Sequence, residues 1–195
     1  MKRIFVAIDI SDAARLAAAD HIEDLRAYAD QGAATWVRPE KLHVTLRFFA
    51  HCSDRELTIA AEAANVCAAN TMPFVVSISG TGVFPSPRRA RVLWLGIKGD
   101  ANSLAALDLR LEERLVSGGL AARDKPFAPH LTIARIKNIS KCRNAVSRHL
   151  AAKFQSEEFT VNELVVYQST LDRAGSIYNV LSRHHFGKPN IISPV

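Results

Sequence analysis

Cysteine is scarce in this chain. Cys52, Cys67 and Cys142 are odd in number, lie far apart and include no C-x-x-C pair. That excludes a disulfide scaffold and a zinc knuckle, and fits reduced thiols. No apolar run approaches the roughly 20 residues of a membrane-spanning helix. The opening MKRIFVAIDISDAAR has a basic start, but Asp9 and Asp12 interrupt its apolar stretch too early for a signal peptide. The expected location is therefore cytoplasmic, with no membrane partner. Prolines are few and 23% of residues are charged, which argues against global disorder. The G-x-x-x-x-G-K-[ST] loop of an ATP-driven P-loop ligase is missing.

What is present is a hydrophobic fraction of 48% in 195 residues, enough for one substantial core or two small lobes sharing an interface. The net charge of +6 suits a phosphate-bearing partner.

Strand and helix patterns interleave. Residues 3–9 read as a short β-branched strand. Ser11 can cap a helix to about Gln31, with Leu16, Ile22, Leu25 and Tyr28 near one face. A strand over 42–49 precedes the capping box Ser53-Asp54-Arg55-Glu56 and an Ala-rich helix to about Asn70. Strands over 74–80 and 91–97 flank the turn FPSPRRA. Asp100 starts a helix with Leu104, Leu107, Leu111 and Leu115 at helical spacing, stopped by Gly118-Gly119. After a strand over 130–136, Ser140 is the expected cap of a basic helix to about Lys153. Strands over 160–168 and 177–186 close the pattern around Ala174-Gly175. The class is α+β or α/β with much antiparallel sheet. One bilobed domain is expected over 1–188, with 189–195 as a loose C-terminal tail.

Two strands carry the same polar pair. KLHVTLRFF puts His43 and Thr45 on one face with Arg47, and APHLTIARI puts His130 and Thr132 on one face; Leu, Val, Ile and Phe fill the other. Each is followed by a helix that opens with Ser, a weak internal repeat that suggests two similar lobes. Facing lobes would bring both pairs together over a cleft. Imidazole serves as base or acid near neutrality. Two imidazoles flanking one phosphorus suit an in-line displacement, with Thr45 and Thr132 donating hydrogen bonds to the non-bridging oxygens. Neither a carboxylate cluster nor an H-x-H pair stands beside these strands, so no metal and no cofactor are expected.

These tetrapeptides, together with FVAIDI, WVRPEKLHVTLRFF, GVFPSPRRARVLWLGI, FAPHLTIARI and VVYQSTLDRAGSIYNVLSRHHF, resemble the two-histidine HxTx phosphoesterases. The likeness is to the bacterial RNA 2′,3′-cyclic phosphodiesterase or 2′-5′ RNA ligase branch, over about residues 3–186. The resemblance implies an α+β, bilobal fold: two pseudo-symmetric lobes, each a mainly antiparallel sheet covered by helices, with a cleft between them. It implies metal-independent hydrolysis of RNA or nucleoside 2′,3′-cyclic phosphates to 2′-phosphates, with minor reverse 2′-5′ ligation. His43 is then the proton donor, His130 the proton acceptor, and Arg135 a phosphate contact. Strict alternation puts Arg135 opposite His130, so that contact requires a bulge or twist. The partners implied are RNA ends or nucleotides bearing a 2′,3′-cyclic phosphate, met by a monomer. A nucleotide- or RNA-binding module using the same cleft without turnover is the alternative.

Other features stay open. Arg47 stands where the family often has lysine, or serves at the surface. Arg88, Arg89 and Arg91 form an RNA-gripping loop or a solvated turn, and Trp36 and Phe84 stack a base or close a core. His184 and His185 alternate across a strand as an edge and a core residue. His21, His51 and His149 are expected on helices or loops without partners.

Overall fold

A computed structural model describes residues 1–172 and 175–187. The strands are β1 (Lys2–Asp9), β2 (Ala34–Trp36), β3 (His43–Cys52), β4 (Phe74–Phe84), β5 (Val92–Gly99), β6 (His130–Ile136), β7 (Phe159–Val161), β8 (Glu163–Asp172) and β9 (Gly175–His185). The helices are α1 (Asp12–Arg26), α2 (Asp54–Ala69), α3 (Ala101–Ser117) and α4 (Arg143–Ala151). Ala174 of the expected hairpin turn, and the tail 189–195, lie outside the described residues.

Local chemistry sets most boundaries. Ser11 Oγ accepts from the Ala14 amide at the start of α1. That helix ends at Arg26, short of the expected Gln31, because the following turn docks elsewhere: the Asp30 amide donates to the Lys141 carbonyl. Its buried stripe is Ala14, Ala18, Ile22 and Leu25, whereas Leu16 and Tyr28 face solvent. The expected capping box forms at Ser53 and Glu56. Asp100 caps α3 through the Ser103 amide, and Leu104, Leu107, Leu111 and Leu115 are fully buried. Ser140 does not cap α4. Its hydroxyl donates to Asn138 Oδ1, and the helix begins after Cys142 without a side-chain cap.

Among the described residues every strand pair is antiparallel, and the nine strands form a single sheet in the order β7-β4-β5-β6-β3-β1-β8-β9, with β2 beside β6. The fold is thus mixed α+β, but the expectation of a separate sheet for each lobe is corrected. The two halves meet where β3 and β6 share one register pair, Val44 with Leu131. Both are fully buried, so His43, Thr45, His130 and Thr132 alternate onto the opposite, open face. Short strands β2 and β7, three residues each, lack enough alternation to be read from sequence.

Candidate active site

The two histidine strands carry matching bulges. Adjacent Val6 and Ala7 of β1 pair with Arg47 and Thr45, leaving Leu46 extra in β3. Adjacent Leu93 and Trp94 of β5 pair with Ala134 and Thr132, leaving Ile133 extra in β6. An extra residue reverses the alternation beyond it. Phe48 and Arg135, each third after its threonine, therefore reach the cleft. Arg135 gains the bulge its expected place required. Arg47 does not share the His43 face and is not at the surface. It crosses to α3, with Nη1 3.6 Å from Glu112 and Nη2 donating to the Ala121 carbonyl at 2.5 Å.

A cleft of about 640 Å³ brings together His43, Thr45, His130, Thr132 and Arg135. His43 Nδ1 lies 2.7 Å from the Lys41 carbonyl, and His130 Nδ1 lies 2.7 Å from the Ala128 carbonyl. A carbonyl only accepts, so each Nδ1 carries hydrogen and donates. In each neutral ring Nε2 is left with its lone pair, and both rings are set by the same backbone device two residues upstream. Thr45 donates to His43 Nε2 across 3.0 Å.

Aromatic rings hold the imidazoles in place. Phe5 stacks on His43 at 4.6 Å between centroids, and Tyr178 meets it edge-on at 5.4 Å. Phe84 meets His130 edge-on at 5.1 Å, with Trp94 behind it. Trp94 can lie there because residue 82 is glycine: a Cβ at that position would sit 2.1 Å from the indole. Phe84 thus packs against the catalytic candidate His130, while Trp36 packs against the core. Burial pushes the His43 pKa down. The Lys41 carbonyl and the Asp9 carboxylate oppose that shift, whereas Arg15 and His130 add to it.

Arg3, Phe5, Lys41, Phe48 and Tyr178 also line the cleft, and the sequence alone does not mark them as site residues. Alternation around the first strand is the signal for Arg3 and Phe5, hidden by the apolar look of FVAID. Of the remaining histidines, His184 and His185 divide between core and edge, His184 being the buried one and His185 the exposed one. His51 lies in β3, and His21 and His149 are not without partners. His149 Nδ1 accepts from His21 Nε2 at 3.0 Å, while its Nε2 donates to the Gly82 and Trp94 carbonyls. Among the described residues, no group of three or more His, Cys, Asp or Glu is placed to hold a metal ion.

Comparison with known proteins gives the family and the fold. The profile of the 2′-5′ RNA ligase superfamily matches residues 14–173. The RNA 2′,3′-cyclic phosphodiesterase of Archaeoglobus fulgidus is 32% identical over 182 residues, covering 92% of this chain and 97% of that protein. The protein of the same name from Aquifex aeolicus is 31% identical over 156 residues, covering 78% and 81%. Among solved structures, TT0787 of Thermus thermophilus superposes with a TM-score of 0.72 at 25% identity, covering 96% of this chain and 100% of that one. LigT of E. coli complexed with 3′-AMP shares the fold, with a TM-score of 0.71 at 22% identity and coverage of 96% and 99%. The chain belongs to the 2′-5′ RNA ligase superfamily.

Proposed function

We propose that the protein hydrolyses 2′,3′-cyclic phosphates on RNA ends or nucleosides to 2′-phosphates, without metal, by acid–base catalysis between His43 and His130. The observation that carries this reading is the matched pair of imidazoles, each fixed through Nδ1, with Nε2 left for the shared cleft. His130 Nε2 accepts a proton from water as the oxygen attacks phosphorus. The P–O3′ bond breaks on the opposite side, and protonated His43 gives its Nε2 proton to O3′. Thr45, Thr132 and Arg135 hold the non-bridging oxygens as charge builds on them.

The lowered pKa of His43 fits this cycle. The downward shift favours the neutral ring, whose Nε2 accepts from Thr45. A bound phosphate anion favours the imidazolium, and the Thr45 hydroxyl is then free to turn to a phosphate oxygen. An RNA 5′-hydroxyl in place of water would run the same steps toward a 2′-5′ linkage, which abundant water keeps minor.

Residues 1–188 act as one catalytic unit in this proposal, as a monomer in the cytoplasm. Three buried free thiols support a reducing compartment. No helix among the described residues is long and apolar enough to cross a membrane.

The test is turnover of a nucleoside 2′,3′-cyclic phosphate in excess chelator, followed across pH. A bell-shaped profile and a 2′-phosphate product are expected. His130→Ala should remove the acidic limb and His43→Ala the alkaline limb. The alkaline limb of kcat/KM should lie below that of kcat, because bound phosphate raises the His43 pKa. Loss of turnover on chelation, or a product phosphorylated only at the 3′ position, would overturn the proposal.

A further inference from the structure

Residues 73–99 and 125–156 contain eleven lysines and arginines and no aspartate or glutamate, in a chain whose net charge is only +6. The remaining residues therefore carry more acid than base. The two segments build β4, β5, β6 and α4, on one side of the β3–β6 seam. Of their eleven cations, only Arg148 is ion-paired among the described residues, with Asp24. Arg88, Arg89, Arg91, Lys137, Lys141 and Arg143 are all exposed. Unpaired like charges gathered on one side repel one another, so the arrangement is costly unless a polyanion comes to it.

The placement of this charge is specific. The loop over 85–91 begins directly after Phe84, the ring that packs on His130. It closes where the Arg91 amide donates to the Phe84 carbonyl at 2.7 Å and the Arg91 carbonyl accepts from the Ile136 amide at 2.9 Å. Val92, the next residue, is the register partner of Arg135. The loop thus stands at the Arg135 end of the cleft. Beyond it, a groove of about 510 Å³ runs between the loop and α4. Arg88 and Arg143 give it charge, and Ile139, Val146 and Leu150 give it an apolar surface. Asp30 lies near Cys142 at the start of α4, but no carboxylate lines the groove.

We propose that this groove binds the strand of an RNA whose 3′ end occupies the cleft. Backbone phosphates meet Arg88, Arg89 and Arg143, and an upstream base lies against Val146 and Leu150. Cationic tracking of the backbone with apolar support for bases is how single strands are held without sequence readout. The inference rests on the cyclic-phosphate reading of the cleft but uses none of its residues.

The experiment compares wild type with Arg88→Glu/Arg89→Glu/Arg143→Glu, and with a control of equal charge change, Arg26→Glu/Arg55→Glu/Arg114→Glu. Each is assayed on a nucleoside 2′,3′-cyclic phosphate and on an oligoribonucleotide ending in 2′,3′-cyclic phosphate. Binding of a labelled oligoribonucleotide 3′-phosphate is followed by anisotropy at several salt concentrations. The groove variant should raise the oligonucleotide KM about 10-fold or more, leave the mononucleotide within about 2-fold, and reduce the log–log salt slope by about 2. The control should do none of this. Unchanged oligonucleotide binding, equal losses on both substrates, or an equal effect of the control would overturn the inference. If wild type hydrolyses neither substrate while the groove variant alone loses oligonucleotide binding, the groove stands and the catalytic proposal falls.

Discussion

Replacing Arg47 by methionine should loosen the join between the two histidine strands. Methionine keeps a long apolar stem but removes the charge that crosses from β3 to α3. The backbone supplies one register pair between β3 and β6, so side chains must carry much of the seam. Arg47 faces Glu112 at 3.6 Å, with side chains 12% and 15% exposed, and donates to the Ala121 carbonyl. At an effective dielectric of about 20, a pair at that separation attracts by roughly 5 kcal/mol before desolvation. Glu112 retains Arg123 at 3.2 Å, which keeps its charge compensated and limits the loss. The net cost should be about 2 kcal/mol, below the ~3–5 kcal/mol of a buried pair broken outright. For a chain of this size that is a fall in Tm of about 4–8 °C. If the seam also sets the spacing of the imidazoles, kcat should fall by about 10-fold or more, since small misplacements cost rate steeply. Thermal melting, cyclic phosphate turnover and a double-mutant cycle with Glu112→Gln check both parts. A variant with Tm within about 1 °C of wild type and unchanged kcat would refute the role given to Arg47.

Removing either hydroxyl, by Thr45→Val or Thr132→Val, should lower kcat by about 10- to 100-fold with little change in Tm, as expected for a hydrogen bond to a charged oxygen; steady-state kinetics on a cyclic nucleotide reads it. Gly82→Ala should displace Trp94 and, through it, the packing behind His130, costing about 1–3 kcal/mol in chemical denaturation. Burial lowers the His149 pKa to about 4, with His21 opposing its charge as well. The unfolded chain therefore takes up a proton before the folded one, so stability present above about pH 6.5 is lost as pH falls toward 4, by roughly 3 kcal/mol in all. Urea unfolding at pH 6.5 and 4.5 should show that loss, and His149→Gln should flatten it.

The alternation in KLHVTLRFF and APHLTIARI is enough to place His43, Thr45, His130 and Thr132 on one open face, because a two-residue period needs only local geometry. Alternation fails past Thr45 and Thr132, where one extra residue in each strand is visible only in its pairing with a neighbour. That is why a strict two-residue period puts Arg47 on the wrong face and passes over Phe48. The leucine stripe of α3 and the capping box of α2 are legible for the same local reason. The early end of α1 and the late start of α4 are not. They depend on contacts such as Asp30 with Lys141, more than a hundred residues apart in the chain. The union of both sheets into one is equally hidden, resting on the single pair Val44 and Leu131. His21 and His149, 128 residues apart, look like unrelated surface histidines until the fold joins them.

The shared phosphate is tested most directly by a crystal structure with a nucleoside 2′-phosphate bound in the cleft. Nε2 of both His43 and His130 should lie within hydrogen-bonding distance of oxygens on the same phosphorus, on opposite sides of it, with the threonine hydroxyls turned to the remaining oxygens. A phosphate held by one imidazole alone, or seated away from both, would contradict two-histidine catalysis.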